Sequence, residues 1–250
     1  MRIVIFSGTT EGRELSRLLA GRGAEIIVSV ATEYGSEEQG SVPGIRTHIG
    51  PLTAEEKQEL LQGAALCVDA THPYATHVTA SIRKACEQAS CDYRRLLRAE
   101  SSLDEGAVVV SSAAQAAAYL ARTEGNVLLT TGAKELGNYA ALPPERLYPR
   151  VLPSHESLRA CEALGVPHRN ILAMQGPFSQ ELNEALMRQY DIRWLVTKDG
   201  GAPGGFPEKA AAAAATGASL LVIHRPAETG ESFEQVLACC EALIDKHGQT

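Results

Sequence analysis

Short apolar runs alternate with longer stretches of helical spacing along nearly the whole chain. The runs at 3–6, 24–30, 45–49, 64–68 and 93–97 read as strands. Helices are expected after the turn at 7–13, from Thr53 to about 62, and over 76–89. Strands and helices taking turns in this way define a doubly wound parallel sheet. The alternation then restarts. Strands are expected at 107–110, 127–130, 147–152, 171–174, 194–196 and 220–223. Helices are expected at 113–122, from Ser154 to 164, after Ser179, from Pro207 through an alanine-rich run, and at 232–247. The fold class is therefore α/β, with a boundary placed near residue 98.

Bulk composition narrows the function. A chain of 250 residues, 44% hydrophobic and 21% charged, suits one large or two small soluble globular domains. Its net charge of −7 argues against a nucleic-acid surface. An anionic ligand would need a local cluster of Lys and Arg. Six cysteines occur without a CxxC pair or zinc-type spacing, so no metal is expected. Buried free thiols suit a reducing, cytoplasmic setting. The first apolar run is too short for a signal peptide or membrane span. No long apolar surface run argues for an obligate assembly, so a monomer or weak oligomer is expected.

The chemistry should sit where strands give way to helices. The first such turn carries Gly8, Thr9, Thr10, Glu11 and Arg13. Thr9 or Thr10 can cap the helix, whose N-terminus attracts phosphate. The turn lacks the full GxGxxG pattern, so it is as readily structural as functional. After the second strand, Ser29 and Thr32 precede Glu33. Hydroxyls with Arg13 nearby favour a 2′-phosphate, hence NADPH; Glu33 as a ribose ligand is the counter-reading. The stretch 69–75 ends a buried strand at Pro73. Asp69 could orient His72 or accept a backbone N–H. His72 could donate a proton or merely fix its loop. Tyr74 and Phe178 could each stack on a ring or pack in a core. Thr71, Thr131 and Gln175 mark further polar loops, and Lys134, Lys198, Lys209 and Arg150 add cations. These suggest a ligand with several negative charges; Lys134 and Lys209 could instead be solvated helix-start residues. No serine-hydrolase elbow, HExxH or Walker A is present. A nucleotide cradled by backbone and hydroxyls, with the cofactor supplying the chemistry, is the simplest enzyme reading.

The loops at 8–13, 29–32, 69–75, 131–134, 175–178 and 197–201, with Glu208-Lys209, resemble the precorrin-6A reductase family of cobalamin biosynthesis, including its cobalt-precorrin-6A reductases. One departure is Ser7 before Gly8, where the family pattern has Gly-Gly. The resemblance implies NADPH-dependent reduction of a macrocyclic tetrapyrrole double bond. It implies two Rossmann-like domains, 1–98 for NADPH and 99–250 for substrate and cofactor, facing across a cleft, with strand exchange compatible. Cofactor contacts implied are Gly8, Thr9, Thr10, Glu11, Arg13, Ser29, Thr32, Thr71, Gly132, Gln175 and Gly176. Substrate contacts implied are Tyr74, Lys134, Arg150, Lys198, Asp199 and Lys209. His72 and Lys198 are the candidates for orientation or proton supply. Two competing readings are a dinucleotide-sensing Rossmann protein without turnover and a two-domain nucleotide-sugar transferase.

Overall fold

A computed structural model describes residues 1–97, 106–201 and 204–248. The chain divides into two compact units, Met1–Ala99 with Pro226–Thr250, and Glu100–Arg225. The boundary expected at residue 98 lies outside the described residues.

The first unit holds β1 (Arg2–Ser7), α1 (Thr10–Leu19), β2 (Glu25–Val30), α2 (Glu33–Gln39), β3 (Ile45–Ile49), α3 (Ala54–Leu61), β4 (Leu66–Ala70), α4 (Thr76–Ala89) and β5 (Asp92–Arg95). The strands pair in parallel in the order β3-β2-β1-β4-β5. Strands β1, β2 and β4 are covered on both faces, which explains their unbroken apolar runs. The sheet core joins Ile3, Ile5, Ile26, Val28, Leu66 and Val68 to Leu15 and Leu19 of α1. Thr53 and Glu56 form a reciprocal cap at the start of α3. The segment expected as a loop after β2 is helical: Thr32 accepts from the Gly35 amide at 3.0 Å and starts α2. Its sequence, Glu-Tyr-Gly-Ser-Glu-Glu-Gln, carries no apolar stripe, so periodicity gave no sign of it.

The second unit holds β6 (Val108–Val110), α5 (Ala113–Leu120), β7 (Asn126–Leu129), β8 (Leu147–Val151), α6 (His155–Ala163), β9 (Leu172–Ala173), α7 (Gln180–Gln189), β10 (Ile192–Lys198), α8 (Phe206–Thr216) and β11 (Ser219–Ile223). Its six strands, also parallel, run in the order β6-β11-β10-β7-β8-β9. Ser112, Ser154 and Ser179 cap α5, α6 and α7 through their hydroxyls. The alanine run forms α8 and ends at Gly217, whose φ of 72° suits a left-handed helix stop.

The last helix, α9 (Phe233–Gly248), belongs to the first unit. Val236, Cys240 and Ile244 join the core that contains Leu15 and Leu19. Assignment of 226–250 to the second domain is thereby corrected. An amphipathic helix shows which of its faces is buried and not which sheet receives it. All six cysteines are free thiols, five of them buried.

Candidate functional site

In each unit the strand order reverses at one place, and ligands of open α/β sheets bind outside the strand ends there. In the first unit this point lies between β1 and β4. The turn after β1 and the loop after β4 meet there. A Cβ on Gly8 would lie 3.5 Å from the His72 amide nitrogen and 3.6 Å from Thr71 Cα. Thr9 accepts from the Gly12 amide at 3.3 Å and donates to the Ala70 carbonyl at 3.0 Å. Its hydroxyl thus ties α1 to the end of β4. A Cβ on Gly12 would fall 2.8 Å from Ala70 Cβ and 2.9 Å from Ser7 Oγ. Only glycine lets the start of α1 approach the sheet this closely, the role of the last glycine in a dinucleotide-binding turn. Gly8 and Thr10 are exposed, and Glu11 is half-buried. Arg13 donates to Thr10 Oγ1 at 3.1 Å and forms an ion pair with Glu38 of α2. Ser29 is buried inside β2, whereas Thr32 and Glu33 are exposed at the start of α2. The backbone turn, the helix start and the Arg13 group fit a phosphate-bearing dinucleotide.

Asp69 does not orient His72. It is the next-to-last residue of β4 and wholly buried. Its Oδ1 accepts from the Thr71 amide at 3.0 Å, Thr71 Oγ1 at 2.6 Å and Arg95 Nη1 at 3.1 Å. Its Oδ2 accepts from the Tyr93 hydroxyl at 2.9 Å. Burial, then the Asp69 charge, push the Tyr93 phenol well above its usual range, so it stays a donor. Asp69 therefore shapes the loop that His72 and Tyr74 occupy. His72 is exposed; its Nδ1 is a long 3.4 Å from the Tyr74 amide, and the two rings lie 5.4 Å apart. Gly8, Thr71, His72 and Tyr74 are thus brought to one edge.

In the second unit the order reverses between β7 and β10. Thr130 joins the two ends, its amide and hydroxyl donating to the Val196 carbonyl at 2.9 and 2.8 Å. Beyond it stand Thr131, exposed Gly132 and a tight helical turn, Ala133–Tyr139. Lys198 Nζ lies 3.0 Å from Glu135 Oε1 of that turn. Glu135 carried no motif in the sequence; only the fold places it beside Lys198. Thr131 Oγ1, Glu135 Oε2 and the Tyr139 hydroxyl are buried there close to one another.

Among the described residues, three cations of this unit are buried: Arg150, Lys209 and Arg225. Arg150, on β8, is 7% exposed and donates to Asn183 Oδ1 at 2.7 Å. Its guanidinium lies 4.2 Å from the centre of the Phe178 ring. Phe178 in turn covers Gly176, where a Cβ would come within 3.0 Å of the ring. Lys209, near the start of α8, is 9% exposed. Burial lowers the Arg150 pKa to about 10. Burial first, then the Arg150 charge, lower that of Lys209 to about 8; Glu208 and Asp199 oppose this. Among the described residues no carboxylate stands at ion-pair distance from Arg150 or Lys209. Buried Asp199 accepts from the Gly201 amide at 3.2 Å. Arg150, Lys209 and Asp199 thus share one electrostatic neighbourhood, and Phe178 adds an aromatic face. Lys134 is exposed and lines a cavity of about 360 Å³ against α6, whose walls include neither Arg150 nor Lys209. Gln175 is exposed beyond β9. Among the described residues no cluster of His, Cys, Asp and Glu could hold a metal ion. No helix there is long and apolar enough to cross a membrane.

Two parallel sheets, the first with a glycine-bearing strand-to-helix turn at the point where its strand order reverses, define a Rossmann-type α/β protein. The chain belongs to the precorrin-6x reductase family, CbiJ/CobK, whose family model matches residues 2–241. It is 35% identical to the cobalt-precorrin-6A reductase of Methanothermobacter thermautotrophicus, over 98% of this chain and 83% of that one. It is 31% identical to the cobalt-precorrin-6A reductase of Priestia megaterium, over 98% of both chains. Its fold matches the solved structure of CobK precorrin-6A reductase with a TM-score of 0.77 and 26% identity, covering 100% of this chain and 98% of that one. These relatives are oxidoreductases acting on a CH–CH bond in cobalamin biosynthesis.

Proposed function

We propose that this chain reduces a double bond of cobalt-precorrin-6A, or of its metal-free counterpart, with NADPH. The observation that carries the substrate side is the buried pair Arg150 and Lys209, for which no carboxylate stands at ion-pair distance among the described residues. Two buried cations are costly unless an anion joins them. A tetrapyrrole ringed with carboxylates would supply that anion and present a flat face to Phe178. Lys198, held by Glu135, stands ready at the end of β10. Lys134 is a peripheral contact.

The dinucleotide side rests on the first unit. The start of α1 and the Gly8 turn would bind the pyrophosphate, and Arg13 with Thr10 and Thr32 the adenosine ribose phosphate. When bound, the reduced nicotinamide supplies a hydride. The loop carrying Thr71, His72 and Tyr74 would orient the nicotinamide ring, and orientation is the larger part of the protein's share. A proton must reach the carbon next to the one that receives the hydride. His72, exposed beside Tyr74, can pass one on from solvent. The reading places the enzyme in the cytoplasm as a monomer or weak oligomer.

The test is NADPH oxidation under anaerobic conditions with the cobalt and metal-free substrates in turn, and NADH in parallel. Oxidation is expected with NADPH, faster than with NADH. NADPH binding without oxidation on either substrate would overturn the reductase reading.

A further inference from the structure

Arg95 was absent from every motif in the sequence, yet among the described residues of the first unit it is the most heavily engaged cation. Its side chain is 2% exposed. Nη1 alone donates to the Asp69 carbonyl at 3.0 Å, Asp69 Oδ1 at 3.1 Å and the Thr71 carbonyl at 2.9 Å. Two of these acceptors are main-chain groups at the end of β4, where the Asp69 carbonyl also accepts from the Leu96 amide at 2.9 Å. The residues that follow are Thr71, His72 and Tyr74.

Arg95 is itself held from behind. Its Nε lies 3.0 Å from Glu228 Oε1, off the hydrogen-bond axis, so this is a contact between charges. Glu228 lies three residues past Arg225, the last residue of the second unit, on the stretch that returns to the first. That stretch is fastened to β5. The Glu231 amide donates to the Arg95 carbonyl at 2.8 Å, and the Leu97 amide to the Glu231 carbonyl at 3.0 Å. Arg94 pairs with Glu231 at 3.2 Å. Gly230 lies so close that a Cβ would meet the Arg95 carbonyl oxygen at 2.8 Å and Leu97 at 2.7 Å. The returning stretch can approach only because that residue is glycine, and the approach brings Glu228 to Arg95.

We propose that the Glu228–Arg95 pair is a positioning device for the loop at 71–75, and through it for the bound dinucleotide. This rests on the reading that the loop contacts the dinucleotide. Arg95 fixes the two carbonyls that set the loop's departure from β4, and Glu228 fixes Arg95. Asp69 remains as a countercharge when Glu228 is removed, so variants at 228 keep Arg95 partnered and fold. Lysine cannot replace Arg95, because the planar guanidinium serves both sides at once.

The experiment compares Glu228→Ala, Glu228→Gln and Arg95→Lys with the parent, and with Arg22→Ala, a control that removes the exposed ion pair between Arg22 and Glu241 of α9. Dinucleotide Kd, kcat, tetrapyrrole KM, melting temperature and amide exchange at Thr71 and Ala75 are measured. Glu228→Ala is expected to weaken NADPH binding and lower kcat by about tenfold to a hundredfold, the scale of an ångström-level misplacement. Tetrapyrrole KM should hold, exchange at Thr71 and Ala75 should quicken, and Glu228→Gln should recover part of the loss. Unchanged exchange in Glu228→Ala and Glu228→Gln would overturn the clamp. Faster exchange with unchanged Kd and kcat would overturn its positioning role, as would a lower melting temperature alone. Should the parent not bind NADPH, the dinucleotide reading fails, while amide exchange still decides the clamp.

Discussion

Lys209 carries its charge in a place that resists charge. Its pKa falls from 10.5 to about 8 on folding, so between those values the unfolded chain holds a proton that the folded chain has released. The group therefore opposes folding most below pH 8, and that opposition fades as pH rises from about 8 toward 10.5. Anion binding has the opposite preference, since it needs the lysine charged. Tetrapyrrole KM is expected to climb above about pH 8 in the parent. In Lys209→Met the KM should be higher throughout and lack this rise; a pH profile of kcat/KM and KM reads it. Gly12 makes the complementary argument from space. A methyl there meets Ala70 and Ser7 at under 3 Å, so Gly12→Ala should cost about 1–3 kcal/mol by overpacking. A urea midpoint measures the loss, and NADPH affinity should fall with it because the start of α1 must move.

At the level of elements, local chemistry and long-range packing divide the work. Helix α3 is set by its own ends. Thr53 accepts from the Glu56 amide at 3.2 Å, and Glu56 returns an acceptor to the Thr53 amide at 2.7 Å. Thr53→Ala should lower stability by about 1 kcal/mol and leave NADPH oxidation untouched. Denaturation and turnover, measured on the same sample, check both halves. Strand β4 depends on its surroundings instead. Its apolar run and Pro73 marked it, but the run was expected to stop before Asp69. Asp69 stays in the strand because Tyr93, Arg95 and Thr71 together satisfy its buried carboxylate. Helix α2 shows the reverse limit: a threonine cap and an Arg13–Glu38 pair hold a helix that has no apolar stripe to announce it.

On the scale of the whole molecule, the chain closes its first unit with its last helix. Val236, Cys240 and Ile244 of α9 are buried there, and burying such side chains contributes roughly 1.5–3 kcal/mol for each large aliphatic one. Domain stability is itself only about 5–15 kcal/mol. Deleting 226–250 should therefore leave the first unit unfolded or aggregated, which circular dichroism and light scattering would show. A folded, NADPH-binding truncated chain would contradict the assignment of α9. The sequence by itself determined the two parallel α/β sheets, most strand and helix positions, the serine and threonine caps and the glycine turn after β1. These follow from apolar periodicity and from side chains that bond to their own neighbouring backbone, and both are written locally. The loop motifs also carried the family. Only the tertiary structure decided that Asp69 is buried, that Glu135 faces Lys198 and that α9 returns to the first sheet. It alone set Arg95 and Glu228 together, and buried Arg150 and Lys209 with no carboxylate at ion-pair distance among the described residues. Those outcomes depend on which distant groups share a desolvated space, and neither spacing nor composition encodes that directly.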